Sequence, residues 1–273
     1  MVVLGQRALL RWRGQIRRLE VTDNTKQETT MSSAPHDRDQ SQLVSLGDEE
    51  AVKEILSTTI QNLWDVVNNL ARLRPSRRDR YRVAIFGSAR AQPGTFVYDE
   101  VKRVAAALAQ VGCDIVTGGG PGLMQAANEG AATAGARVES IGIRVELPFE
   151  QDVNPFVDQA FEHKTFFTRL QHFVIASDAF VVVPGGIGTV LEMLMIWQLL
   201  QVRHVDSVPL ILVGKMWKGL VDWASSSMLD PTLHLANPED FRIPRCVETA
   251  DEAIAVVRDL QEKWLLRQRA SSV

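Results

Sequence analysis

The spacing of hydrophobic positions changes along the chain, and each spacing predicts a different element. From Asp48 to Leu73 the apolar residues recur at intervals of three, four and seven, which is typical of one buried face of a helix. Ser45 is placed to cap this helix, and Pro75 ends it because the residue before a proline disfavours helical backbone. The pattern predicts a long amphipathic helix that packs on the main domain or on a second subunit.

After the basic stretch from Arg77 to Arg80, short apolar runs alternate with helical patterns. This alternation is typical of a parallel sheet with helices on both faces, so we expect one Rossmann-like α/β domain. The predicted strands are Arg82–Phe86, Asp114–Thr117, Val138–Ile143, Ala179–Val183 and Val208–Val213. The predicted helices are Val97–Val111, Pro121–Ala134, Lys164–Ala176, Thr189–Gln201, Met216–Met228 and Ala250–Trp264, the first two closed by the left-handed caps Gly112 and Gly135.

The predicted domain boundaries follow from changes in polar composition along the chain. Residues 20–42 contain hardly any apolar side chains and cannot offset the entropy lost on ordering, so we expect residues 1–44 to be a disordered tail. Met31 lies in this stretch, and a translation start there would remove the Arg-rich residues 1–19. We assign residues 45–80 to the amphipathic helix and linker, 81–265 to the Rossmann-like domain and 266–273 to a C-terminal tail.

The overall composition excludes several classes of protein. Hydrophobic residues at 45% and charged residues at 23% are ordinary for a globular domain, and a net charge of -3 gives no general excess of basic residues for nucleic acid. Cys113 and Cys246 form no C-x-x-C pair, which suits a reducing cytoplasm and leaves no cysteine-based zinc site. The longest apolar stretch, Phe173–Pro184, is shorter than the about 20 residues that span a bilayer. We expect a cytoplasmic protein that binds neither membrane nor nucleic acid.

Three glycine-containing segments each stand where a predicted strand ends. They are Phe86-Gly87-Ser88-Ala89-Arg90, Gly118-Gly119-Gly120-Pro121-Gly122 and Pro184-Gly185-Gly186-Ile187-Gly188-Thr189. Because the carboxyl ends of parallel strands lie on one edge of a sheet, where such folds bind ligands, we expect the three loops to converge.

Loops of this kind suit a phosphate group. Glycine lets backbone amides approach the phosphate, the following helix N-terminus adds partial positive charge, and Ser88 and Thr189 add hydroxyl donors. The alternative is that the glycines only form tight turns between strand and helix. The chain has no G-x-x-x-x-G-K-[ST] motif, and Gly118–Gly122 does not match G-x-G-x-x-G, so neither Mg-ATP nor a nicotinamide cofactor is indicated.

The third loop carries a resemblance to a known family. Pro184-Gly185-Gly186-Ile187-Gly188-Thr189-Val190-Leu191-Glu192 fits the PGGxGTxxE signature of the Lonely Guy (LOG) proteins, and Gly118-Gly119-Gly120-Pro121-Gly122-Leu123-Met124 resembles their first glycine-rich motif. LOG proteins are cytokinin riboside 5′-monophosphate phosphoribohydrolases, formerly described as lysine decarboxylases. The resemblance extends over about residues 82–201 and includes Phe166-Phe167-Thr168-Arg169.

The resemblance implies an activity and a set of site residues. The activity is hydrolysis of the N-glycosidic bond of a cytokinin riboside or adenosine 5′-monophosphate, without metal or cofactor, by a homodimer or higher homo-oligomer. Arg169 and Glu192, which are 23 positions apart, are implied to be the catalytic residues. The residues expected to contact the substrate and its phosphate are Gly87, Ser88, Gly118, Gly119, Gly120, Gly122, Met124, Gly185, Gly186, Gly188 and Thr189.

One position departs from the family pattern. Family members usually have Arg-Lys where this chain has Arg169-Leu170, so a cation near the substrate is missing, and His163 or Lys164 is the candidate replacement. The other histidines are expected to be surface or structurally satisfied residues: His36, His172, His204 and His234. The apolar stripe that follows Glu192 indicates core or a subunit interface.

Two other functions remain open. A protein of this fold that holds a nucleotide or phosphorylated cofactor without cleaving it, as molybdenum-cofactor carriers that resemble it do, is favoured by Leu170. A pyridoxal-dependent lysine decarboxylase would need a Schiff-base lysine in a cofactor-binding context, which the sequence does not indicate.

The two implied catalytic residues also have purely structural interpretations. Glu192 could be a glutamate favoured by the helix dipole, and Arg169 could be a solvated helix residue.

Overall fold

The computed structural model describes residues 48–58, 79–146, 153–205 and 208–270. The chain divides into two compact units, Met1–Thr58 and Thr59–Val273. In the first unit residues 49–58 are helical, and the Asp48 carboxylate caps this helix by accepting a hydrogen bond from Ala51 N at 3.1 Å. The predicted cap Ser45, the predicted tail 1–44 and the rest of the amphipathic helix lie outside the described residues.

The second unit contains a parallel sheet of seven strands in the order β4-β3-β2-β1-β5-β6-β7. The strands are β1 Arg82–Phe86, β2 Asp114–Thr117, β3 Ser140–Val145, β4 Gln159–His163, β5 Ala179–Val182, β6 Leu210–Val213 and β7 Pro244–Val247. The helices are α1 Phe96–Gln110, α2 Leu123–Thr133, α3 Phe166–Ala176, α4 Ile187–Gln201, α5 Lys215–Met228 and α6 Ala250–Ala270, with a short 3₁₀ helix at Pro238–Arg242. This is the α/β fold that the sequence predicts.

Helices cover both faces of the sheet because strand residues alternate between two cores. In β1, Val83 and Ile85 face the core formed with α1, α2 and α6, whereas Ala84 and Phe86 face the core formed with α3, α4 and α5. The second core is centred on aromatic contacts, since the Phe86 ring lies 4.9 Å from that of Phe173, measured between centroids. No helix in the part of the chain that the structure describes is long and apolar enough to cross a membrane.

The structure corrects the sequence prediction at the edges of the sheet. β4 and β7 were not predicted, because β4 is mostly exposed and has few apolar residues, and β7 is a four-residue strand that begins with Pro244. Helix α6 continues past the predicted end at Trp264 to Ala270, so residues 266–270 are helical and not a tail. The predicted left-handed caps are confirmed, with φ of 90° at Gly112 and 68° at Gly135.

The order of the strands places a crevice beside β1. The chain builds outward from β1 to β4 and then returns through α3 to β5, on the other side of β1. The connections that follow β1 and β5 therefore leave toward opposite faces of the sheet, and this reversal opens a crevice at the carboxyl ends of the strands. All three glycine loops and the start of α4 lie on that edge.

Candidate functional site

The three glycine loops converge, as predicted, and backbone hydrogen bonds join them. Ser88 N in the first loop donates to Pro184 O in the third, at 3.1 Å. Leu123 N, at the end of the second loop, donates to Ser88 O at 2.8 Å. The loop after β1 thus holds the other two loops together at the carboxyl edge of the sheet.

Two glycines allow this close approach. Gly122 has φ of 69°, and a Cβ atom there would collide with the Ser88 carbonyl oxygen and the Ala89 backbone. At Gly87 a Cβ atom would lie 2.6 Å from Val183 Cγ2 and 2.9 Å from Leu123 Cβ. Larger residues at either position would separate the loops, because the obstructing atoms are largely backbone or buried side chain.

The third loop ends in a helix start that suits an anion. Val190 N donates to Gly186 O at 3.0 Å, so the first turn of α4 begins at Gly186, and the amides of residues 187–189 have no partner within the helix. Cβ atoms added at Gly186 and Gly188 would meet no atom within 4 Å, so the space around these two glycines is open. Thr189 is buried with its hydroxyl against Gly185. Exposed amides and the helix dipole together favour a phosphate here.

Arg169 and Glu192 meet beside these loops. Arg169 Nη1 lies 3.2 Å from Glu192 Oε1, and the two side chains are only 12% and 11% exposed. Arg169 projects from the first turn of α3 and Glu192 from the second turn of α4, so two consecutive helices of one face bring the pair together. The purely structural interpretation of Arg169 as a solvated residue is therefore wrong.

Three further contacts fix the Arg169 guanidinium. Nε donates to the carbonyl oxygen of Ile143 at 2.9 Å, and the Phe173 ring centroid lies 5.4 Å from Cζ. A Cβ atom on Gly118 would lie 2.5 Å from Nη2, so the absence of a side chain at Gly118 makes room for the guanidinium. Arg169 thereby connects β3, the second glycine loop and α4.

Burial raises the pKa of the Glu192 carboxyl above its usual range, because the charged form loses its hydration, and the Arg169 cation opposes this rise. The Glu192 carboxyl group therefore lies in a nearly dry place with the Arg169 guanidinium beside it. Such a carboxylate can stabilise positive charge or accept a proton from water.

A buried polar network that the sequence analysis missed supports the second loop. The Asn128 side chain accepts from Thr117 Oγ1 at 2.7 Å and donates to Ser140 Oγ at 2.8 Å. Thr117 Oγ1 accepts from Gly119 N, and Asn154 Nδ2 donates to Gly120 O at 3.0 Å and to Asn128 Oδ1. The signal in the sequence is Asn128 itself, because asparagine is unfavourable within a helix unless its side chain has buried partners.

The remaining predicted residues are placed as follows. Met124 packs over the second loop, since Cβ atoms on Gly118 and Gly120 would lie 2.6 Å from its Sδ and 2.8 Å from its Cε. Leu170 is 3% exposed, so its side chain contributes to core packing and provides no cation for a ligand. Of the two candidate replacements for the family lysine, Lys164 is exposed and His163 is half-buried, with Nε2 2.9 Å from His172 Nδ1.

The ion pair predicts a pH-dependent stability for one variant. Arg169→Met removes the cation and raises the pKa of Glu192 further, so the folded variant retains a proton that the unfolded chain releases above about pH 4.5. The loss of unfolding free energy relative to the wild type then grows once pH exceeds the pKa of Glu192 in the folded wild type, by up to about 1.4 kcal/mol per pH unit. Urea unfolding between about pH 5 and pH 8 measures this slope. The control Arg169→Met/Glu192→Gln has no buried carboxyl and loses the slope; a loss independent of pH in the single variant would contradict the coupling.

Comparison with solved structures shows the fold. The chain is similar to the molybdenum cofactor binding protein from the phototrophic bacterium Rippkaea orientalis, with a TM-score of 0.51 and 19% identity over 68% of this chain and 99% of that one. It is also similar to the molybdenum cofactor carrier protein from Chlamydomonas reinhardtii, with a TM-score of 0.49 and 21% identity over 66% of this chain and 98% of that one. At such identity the likeness concerns the fold alone.

Comparison of the sequence identifies the family. A comparison with curated protein sequences finds no match. Residues 124–257, which include Arg169 and the whole segment from Pro184 to Glu192, match the family described as "possible lysine decarboxylase". The resemblance to the LOG family, formerly described as lysine decarboxylase-like, is thereby confirmed over these residues.

Proposed function

We propose that this site hydrolyses the N-glycosidic bond of a nucleoside 5′-monophosphate and releases the free base and ribose 5-phosphate. The observation that carries the proposal is the buried pair of Arg169 and Glu192, 3.2 Å apart, beside three converged glycine loops. In a site that only held a nucleotide, an anionic carboxylate close to an anionic ligand would serve only to position Arg169. A carboxylate does have a use when positive charge develops on the substrate.

The phosphate is assigned to the start of α4. The amides of residues 187–189 are unpaired within the helix, and the space around Gly186 and Gly188 is open. Gly185 and Thr189 complete this loop. The loop after β1, with Gly87 and Ser88, lies directly against this loop. The sugar and base then extend over Gly118–Gly120, Gly122 and Met124 toward Arg169.

Glu192 and Arg169 act on the sugar and the departing base. Cleavage of the bond between C1′ and the base nitrogen leaves positive charge on the sugar ring and negative charge on the base. The Glu192 carboxylate stabilises the cationic sugar and accepts the proton of the attacking water, whereas Arg169 orients the nucleotide and offsets negative charge. Glu192 and Arg169 perform these roles, and the proposed reaction needs no cofactor.

A second candidate is binding without cleavage. Leu170 in place of the family lysine favours it, because the buried leucine contributes no cation to the ligand. The neighbours of similar fold are named as a binding and a carrier protein for the molybdenum cofactor, a phosphorylated ligand unlike a plain nucleotide. Under this alternative Glu192 serves only to hold Arg169 in position.

Base release separates the two candidates. Wild-type protein is incubated with AMP and with isopentenyladenosine monophosphate, and free base and ribose 5-phosphate are measured by chromatography. We expect the wild type to release base and Glu192→Gln to lose at least about 10²-fold in rate, in the range of general acid–base catalysis. The control Glu262→Gln, an exposed glutamate on α6, keeps the wild-type rate. Tight binding of nucleotide by the wild type with no release of base would instead support the carrier.

The phosphate assignment has its own variant, which is tested by its binding affinity for AMP. Gly186 is extended, with φ of -93°, and a Cβ atom there meets no protein atom, so Gly186→Val folds normally but fills the space in front of the α4 amides. We expect it to lose nucleotide binding. Gly219→Val is the matched control, since that glycine also faces open space but lies on α5. Unchanged affinity in Gly186→Val would contradict the whole site.

We further propose a homodimer that uses α4. Ile187, Leu191 and Leu194 are 86%, 48% and 44% exposed and follow helical spacing along one side of α4, beside the site. Exposed leucine and isoleucine at this density on one helix are typical of a subunit contact. The partner is assigned as a second copy of this chain because family members associate through their helices.

Light scattering tests the dimer. The wild type is expected to have the mass of two chains, and Leu194→Arg the mass of one, because a buried cation without a partner opposes association. Leu266→Arg alters a leucine that is also exposed, at 64%, but on α6, and keeps the dimer. A monomeric wild type would contradict the proposal.

A further inference from the structure

A pair of histidines lies next to Arg169 and has no role in the function proposed above. His163 Nε2 and His172 Nδ1 are 2.9 Å apart, a hydrogen-bond distance. The His172 ring also packs edge-on against Phe161, with centroids 4.7 Å apart. Both histidines are partly exposed. Packing and hydrogen bonding therefore hold two titratable rings in a fixed orientation.

The register of β3 and β4 places this pair at the site. Ile143, whose carbonyl binds Arg169 Nε, is paired with Phe161, and His163 is two residues farther along β4, toward the carboxyl edge. Phe161 and His163 lie on the same face of the strand because side chains alternate. His172 is three residues after Arg169 on α3 and so lies on the same side of that helix. His163 is thus the outer member of the pair, and it lies beyond the point where Arg169 is anchored.

We propose that His163 donates the proton that the departing base requires, and that His172 resupplies His163 through their shared hydrogen bond. This inference rests on the proposed function, because it assigns the acid that the hydrolysis lacks. Arg169 cannot fill that role, since a guanidinium does not release its proton in proteins. Glu192, which is assigned to the water, lies across the ion pair from the base.

The two rings can pass on a proton while both stay neutral. One proton occupies the hydrogen bond between His163 Nε2 and His172 Nδ1, so each ring keeps one outer nitrogen, Nδ1 of His163 and Nε2 of His172. When His172 is the donor in this bond, His163 carries its own proton on Nδ1. That nitrogen is then a hydrogen-bond donor toward the base.

The charge environment agrees with a neutral pair. Burial lowers the pKa of His163, and the Arg169 cation lowers it further. Burial lowers the pKa of His172 to about 4, with smaller contributions from His163 and Arg82. At neutral pH both rings are therefore uncharged, and no imidazolium competes with Arg169 for the nucleotide.

The step conserves protons and electrons. As the C1′–N bond breaks, its electron pair remains on the base, whose ring nitrogen takes the proton from His163 Nδ1. His163 Nε2 takes the proton from His172 Nδ1, and His172 Nε2 takes one from solvent. The water oxygen bonds to C1′, and its proton passes to Glu192 and then to solvent. One water molecule is consumed, and the products are neutral base and ribose 5-phosphate.

We call the proton transfer from His172 through His163 to the base the relay. A substrate whose base needs no proton tests it. The full chain and His163→Ala are compared on AMP and on the N7-methylated form of AMP, whose base departs as a neutral molecule. We expect His163→Ala to slow the cleavage of AMP by about 10²-fold or more, without a change in KM, and to cleave the methylated nucleotide at close to the wild-type rate. Added imidazole should restore part of the AMP rate. His204→Ala, an exposed histidine outside the site, serves as the control.

The possible results of this experiment distinguish failure of the relay from failure of the proposed function. If the wild type cleaves AMP and His163→Ala is unaffected, or slows equally on both nucleotides, the relay is wrong but the proposed function stands. If the wild type releases base from neither nucleotide, the proposed function is wrong and the relay falls with it. His172→Phe, which keeps the ring packing against Phe161, should slow AMP cleavage but not that of the methylated form; equal rates with wild type on AMP would exclude His172 from the relay.

Discussion

The Glu192 carboxylate is buried, and this constraint determines much of the arrangement around it. A buried carboxylate without a cation is strongly unfavourable, so Glu192 requires Arg169 beside it. Arg169 in turn requires a fixed position, which it obtains from the Ile143 carbonyl and the Phe173 ring. Its guanidinium occupies the space that a side chain at Gly118 would fill. A glycine at position 118 is therefore needed to place Arg169, and Arg169 is needed to stabilise the charged form of Glu192.

The glycine loops depend on a second constraint, which is that buried polar groups need partners. The loop after β2 places backbone groups in the interior, and Thr117 and Asn154 satisfy them with side-chain hydrogen bonds. Asn128 holds both of these side chains through its own amide group. The loop after β1 joins the other two through its own backbone. As a result the start of α4, where we propose that the phosphate binds, and the charged pair at Arg169 are held in a fixed relation.

The central part of this architecture could be predicted from the sequence, and the periphery could not. Strands β1, β2 and β5 are buried on both faces and read as short apolar runs, and the glycines mark their ends. β4 and β7 were missed because edge strands are exposed on one side and lack such runs. The family resemblance implied the pair of Arg169 and Glu192. The contacts of Asn154 and the contact of His163 with His172 depend instead on how a strand, a loop and helices pack together. Single-sequence patterns carry no signal for such contacts.

The proposed site joins a helix start suited to an anion, a buried carboxylate with its cation and a histidine pair along one edge of a parallel sheet. This combination is suited to a substrate that has a phosphate at one end and a leaving base at the other. The central claim is that the bond broken is the one between C1′ and the base. Hydrolysis of AMP in water enriched in oxygen-18, followed by mass spectrometry, tests it most directly, with ribose 5-phosphate incubated alone to correct for exchange. We predict one labelled oxygen in ribose 5-phosphate, free adenine in equal amount and no label in inorganic phosphate; adenosine with labelled phosphate, or unchanged AMP, would contradict the account.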